Sequence, residues 1–138
     1  IVGAASLSDL SLLASRMERE TELPGAIARR LVDRHGTESE AVVGLARERD
    51  LLRLLGTETE HLEAEIVWAV THELAGSLDD VLSRRMRLAQ ELPDRGASIA
   101  ARVAELMGTE LGWDAERQAA EVVGYLDGAR VEFGVPGR

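Results

Sequence analysis

An all-α fold, an irregular bundle of about six to eight helices in a single domain, is what the sequence predicts, and three observations predict it. Apolar residues recur three and four positions apart along almost the whole chain, the spacing of one helix face. Only four residues are aromatic and β-branched runs are few, which argues against sheet. With 138 residues, 45% of them hydrophobic and only three Pro, the chain can bury about two-thirds of its unfolded surface and is not disordered by composition.

The first helix is expected over Ser8–Glu20, with Leu10, Leu13 and Met17 on one stripe. Pro24 marks the first turn of a second helix that carries Ile27 and Leu31 and ends at Gly36. Thr37 followed by Glu40 reads as a capping box for a third helix over Glu38–Glu48, because hydroxyl and carboxylate can each satisfy an orphan backbone donor. A short apolar piece, Asp50–Leu55, closes at Gly56, and a loop or helix start is expected over Thr57–Glu60. The long central helix runs from about Glu60 to Ala75. At 100° per residue its core arc holds Leu62, Ile66, Ala69, Val70 and Leu74, with Glu73 inside the same arc. Ser77 and Asp80 form a second capping-box-like start, for a helix bearing Val81, Leu82, Arg84, Arg85, Arg87 and Leu88. Pro93-Asp94 breaks the pattern. A helix over Ala97–Glu110 buries Ile99, Val103, Leu106 and Met107 and stops at Leu111-Gly112, and Asp114 caps a last helix with the stripe Ala119, Val122, Val123 and Leu126.

Sixteen basic residues, all Arg, against twenty-five acidic ones give a net charge of −9, which disfavours nucleic acid and anionic lipid surfaces as partners. No apolar stretch is long enough to span a membrane, no leader is expected, and the lack of Cys fits a cytoplasmic compartment. The chain opens Ile1-Val2-Gly3-Ala4 without Met, so a piece cut from a longer polypeptide is as consistent as a processed terminus. No Gly-rich strand-to-helix turn offers a dinucleotide cradle, and no Ser sits in a nucleophile elbow. Neither catalytic nor cofactor-binding residues are therefore expected in this chain. Metal binding fails on geometry. His61 and His72 are separated by roughly 16 Å along a helix, and His61 with Glu65 supplies only two ligands.

Two constellations remain. Glu73, on an apolar arc, is costly unless paired, and Arg84 or Arg85 on the next helix is the expected partner in a partly buried structural ion pair; contact of these arginines with a substrate anion or an interface is the alternative. Trp68 projects away from the core arc among His61, Glu65 and His72. One large aromatic in a polar surround suits an interface anchor, the alternative being a gap-filler inside the domain.

Three segments together resemble one family. Ala64-Glu65-Ile66 leading through His72-Glu73 to Asp80-Val81-Leu82-Ser83-Arg84-Arg85-Met86-Arg87, and Leu111-Gly112-Trp113-Asp114 followed by Arg117, Glu121 and Tyr125, are similar to the C-terminal helical domain of the FAD-dependent glycerol-3-phosphate dehydrogenases and α-glycerophosphate oxidases. Ile1–Ala5 resembles the Gly-Ala segment that leads into that domain, making residues 1–7 a connecting segment, and Arg34-His35-Gly36 takes the place of Arg-Tyr-Gly. Met86 departs from a usual Thr, Glu63 from a common basic residue, and the loop at Thr57–His61 lacks a frequent Pro. The resemblance implies that residues 1–138 are the C-terminal domain of a longer flavoenzyme, which oxidises sn-glycerol 3-phosphate to dihydroxyacetone phosphate. The parent would work in the cytoplasm or at the cytoplasmic face of the membrane, with its FAD and substrate residues outside this chain. The implied partners are the N-terminal flavoprotein domain of the same polypeptide and, through oligomerisation, a second copy. The alternative is a free-standing helical protein-interaction module with no enzyme attached.

Overall fold

The computed structural model describes residues 6–21 and 23–132; of the expected connecting segment, residues 1–7, Ile1–Ala5 lie outside the described residues and Leu7 already opens the first helix. Among the described residues there are seven α-helices and no strand beyond one isolated bridge between Leu54 and Leu62. That is the all-α class the sequence predicts. The chain groups into two compact units, Ile1–Ala64 and Glu65–Arg138.

In the first unit, α1 (Leu7–Thr21) packs on α2 (Gly25–His35), and α2 on α3 (Ser39–Arg49). Leu13 and Met17 of α1 are buried on the expected stripe, and Ile27, Leu31 and Val32 form the inner face of α2. Pro24 sits one position earlier than expected, as the N-cap, where its lack of an N–H costs nothing. Gly36 ends α2 with φ 58° and ψ −133°, a conformation that a side chain would forbid. The expected capping box at Thr37 does not form. Thr37 lies inside a 3₁₀ turn, Gly36–Glu38, which Ser39 Oγ closes by donating to the Gly36 carbonyl at 2.7 Å, and Glu40 pairs with Arg16 instead. Beyond α3 the chain doubles back: Leu55 N–H donates to the His61 carbonyl at 2.8 Å and Glu63 N–H to the Arg53 carbonyl at 2.9 Å. The Arg53 guanidinium also lies 3.5 Å from Glu63, which gives that acidic departure a local partner.

The central helix, α4 (Glu63–His72), is shorter than expected and differs in kind. Every residue from 61 to 70 is buried, so no single arc faces the core, as befits a stretch apolar on all sides with only two carboxylates. The helix ends at His72, and Leu74, expected in the core, is 88% exposed.

In the second unit the expected helix after Gly76 winds as a π-helix over Asp80–Arg85, with Met86 N–H donating to the Val81 carbonyl five residues back. Arg87, in the left-handed region at φ 56°, then turns the chain into a short α5 (Leu88–Glu91), so Leu88 belongs to a new element. The wider turn lets Val81, Leu82, Met86 and Leu88 all be buried, and Met86 fills core where a Thr hydroxyl would need a partner. Leu92 adopts the extended backbone that Pro93 imposes on its predecessor. Asp94 then accepts from the N–H groups of Gly96 and Ser98 at 3.0 and 2.9 Å, serving the start of α6 (Ala97–Leu111). Ile99, Val103, Leu106 and Met107 are buried as expected, and α6 packs on α7 (Ala115–Glu132). Asp114 caps α7 by accepting the Arg117 N–H at 2.8 Å. The buried stripe of α7 differs from the expected one: Tyr125 and Ala129 are buried, whereas Ala119 and Val123 face outward.

Candidate functional site

The residues singled out in the sequence concentrate around the joint between α4 and the π-helix. Trp68 is only 5% exposed, enclosed by its own chain, and stacks on the exposed His72 with ring centroids 3.8 Å apart and planes 8° from parallel. His61 is buried ahead of α4, its N–H donating to Thr59 Oγ1 at 3.1 Å. The proposed interface cluster of Trp68, His61 and His72 is thus corrected: Trp68 is a core residue with His72 as its lid. Apolar periodicity points Trp68 outward only for a helix with one buried side, and α4 is buried all round.

The arginines expected to pair with Glu73 lie on the π-helix, where Arg84 has carboxylates of its own turn beside it. Arg84, 72% exposed, lies 3.3 Å from Asp80 and 3.6 Å from Asp79, and Arg85 is exposed on the same turn. Carboxylates four and five residues back on the same turn of chain meet the guanidinium with little loss of freedom.

The second capping box forms as expected. Asp80 N–H donates to Ser77 Oγ at 3.1 Å, and Asp80 Oδ2 reaches back to accept the Gly76 N–H at 3.0 Å. Ser83 Oγ donates to Asp79 Oδ1 at 2.8 Å and adds a second tie on the same turn. The Gly76 N–H holds the Asp80 carboxyl below the ordinary carboxylate range; partial burial opposes this, and the Ser77 and Arg84 contacts reinforce it. A folded value lowered in this way makes the contribution to stability complete above the unfolded value and loses it as the pH falls through the folded value. Asp80→Ala is expected to lower stability by about 1 kcal/mol at neutral pH, as for loss of a helix cap, with the gap from the parent closing on that acid limb. Urea melts at neutral and acid pH check it, and a pH-independent gap would contradict the ionic cap.

The residues spaced behind Leu-Gly-Trp prove to be one connected staple. The Arg117 guanidinium sits 4.9 Å from the centre of the Trp113 ring and 3.4 Å from Glu121. Glu121 Oε1 in turn accepts the N–H of Leu78, 43 residues earlier, at 3.1 Å. One turn on, Tyr125 Oη donates to the Arg95 carbonyl at 2.6 Å. Beside it, Gly96 takes left-handed backbone at φ 87°, which favours glycine, although a Cβ there would meet Tyr125 Oη and Leu82 only in ordinary contact at 3.7 and 3.8 Å. The motif was legible as a resemblance, but its tie to the Leu78 amide was not, since spacing cannot show which backbone donor a carboxylate will meet.

In the first unit, a small open groove of about 130 Å³ lies between α1 and α3, with Leu13, Met17, Val43 and Gly44 in its lining and the Arg16–Glu40 pair at its edge. Among the described residues no three His, Asp or Glu side chains gather as a metal set, and no helix is long and apolar enough to cross a membrane.

These features define an all-helical domain whose distinctive side chains tie its own elements together. Residues 1–118 match the family model described as the C-terminal domain of alpha-glycerophosphate oxidase. The chain is 38% identical over 135 residues to a glycerol-3-phosphate dehydrogenase of Mycobacterium leprae, covering 95% of this chain and 23% of that protein. It is 38% identical over 105 residues to glycerol-3-phosphate dehydrogenase 2 of Mycobacterium bovis, covering 75% and 18% respectively. It is 33% identical over 104 residues to a mitochondrial glycerol-3-phosphate dehydrogenase of Arabidopsis thaliana, covering 72% and 16%. No solved structure matches. The chain belongs to the family of C-terminal domains found in alpha-glycerophosphate oxidase and the glycerol-3-phosphate dehydrogenases, and it spans less than a quarter of the length of these relatives.

Proposed function

We propose that this chain is the non-catalytic C-terminal helical domain of an FAD-dependent glycerol-3-phosphate dehydrogenase, and that it acts by packing on the N-terminal flavoprotein part of the same polypeptide. The observation that carries this is the asymmetry of the matches: 95% of this chain answers to 23% of a dehydrogenase, so the catalytic body is expected outside it. The parent reaction is the oxidation of sn-glycerol 3-phosphate to dihydroxyacetone phosphate. FAD supplies the hydride acceptor there, and quinone or oxygen takes the electrons onward. The side chains argued above engage one another and the backbone, which supports a packing role. The test is a titration of the 138-residue chain with FAD beside an assay of the full polypeptide for glycerol 3-phosphate oxidation. Activity and flavin in the full polypeptide, with no saturable FAD binding by the chain, are expected; stoichiometric binding by the chain, or no such activity in the full polypeptide, would overturn the assignment.

A further inference from the structure

We infer that Leu74 is the anchor by which this domain docks on the remainder of its polypeptide. The inference rests on the packing role proposed above and names the contact. Leu74 follows α4 with φ 60°, in the left-handed region, and is 88% exposed. Its position closes the helix end: Glu73 and Ala75 N–H groups both donate to the Ala69 carbonyl, at 3.1 and 3.0 Å. Where α3 and α6 end in the same backbone region, the residues are Asp50 and Gly112, types that tolerate it. Among the described residues, four non-glycine residues have positive φ, Asp50, Leu74, Arg87 and Arg95, and of these Leu74 alone is apolar. Leu at this position is unfavourable on two independent counts, since its Cβ crowds the backbone and its side chain stands in water. At 88% exposure little packing is left to offset either. A side chain that breaks local rules without internal compensation marks a place where compensation comes from elsewhere.

The surroundings fit an interface. Gly76, two residues on, donates its N–H to Asp80, which pairs with the exposed Arg84, so charged groups follow the apolar side chain closely along the chain. The occupant is the flavoprotein body, since more than three-quarters of the length of the related dehydrogenases lies outside the matched region. It would present an apolar socket with carboxylates placed for Arg84 and Arg85.

Hydroxyl-radical footprinting of the 138-residue chain and of the full polypeptide tests this, together with Leu74→Asn, a polar residue that accepts left-handed backbone. Leu74 is expected to lose most of its reactivity in the full polypeptide. Leu74→Asn should raise the thermal midpoint of the chain alone and lower that of the same domain within the full polypeptide. Equal reactivity in both, or a raised midpoint in both, overturns the inference. Protection of another face, such as that of the exposed Val123, with Leu74 still reactive, overturns the anchor and leaves the packing role standing. No gain of protection anywhere overturns both. Protection in the chain alone that grows with its concentration assigns Leu74 to a second copy and overturns the proposal.

Discussion

Trp68→Ala is expected to cost the isolated chain about 3–5 kcal/mol, the range for truncating a large buried aromatic. Trp68 is 5% exposed and lies in α4 between Val67 and Ala69, both buried, so the helix cannot rotate to close the void without exposing another apolar face. The His72 ring stacked on it would lose its support and turn into solvent. Guanidinium melts followed through Trp113, then the sole remaining tryptophan, provide the measurement. Trp68→Phe, which keeps a stacked ring, should recover most of the loss. A cost under about 1 kcal/mol for the Ala variant would return Trp68 to the surface role first expected of it.

Glu121→Ala is expected to cost about 1.5–3 kcal/mol, because the deleted carboxylate is the acceptor for the N–H of Leu78, a residue with no exposed surface. Arg117 would keep its place over Trp113 but lose its second contact. Glu121→Gln retains an oxygen at the same reach and gives up only the charge, so its loss should be about half as large. Comparing the two variants by urea melts separates the hydrogen bond from the ion pair. Equal losses would place the value in the charge instead.

Where local rules and tertiary packing agree, the sequence was readable. Ser77 with Asp80 and Asp114 with the Arg117 amide are caps whose partners lie within four residues, and the stripe Ile99, Val103, Leu106 and Met107 belongs to a helix with one polar side. It failed at α4 because apolar residues surround that helix, so a period cannot choose the inner face, and because Leu74 stands where a Gly would have announced the stop. Trp68 and Leu74 exchanged roles for that reason. Around the joint, Arg84 takes Asp80 and Asp79, four and five residues back, as neighbours, a local spacing that the search for a partner to Glu73 passed over. The stripe of α7 was misplaced because that helix is held by Glu121 and Tyr125, polar anchors that hydrophobic periodicity ignores. Glu121 and Tyr125, quoted from the family motif, meet backbone groups at positions 78 and 95 that no spacing identifies.

The tie between Leu78 and Glu121 also turns one backbone amide into a gauge of the whole last helix. Leu78 lies at the start of its own helix, where an N–H has no intrahelical acceptor, and its acceptor is borrowed from 43 residues downstream. Deuterium uptake at this single position is therefore set by how often α7 lifts away. The first turn after Gly76 and the docking of α7 open as one cooperative unit, although they stand far apart in the chain.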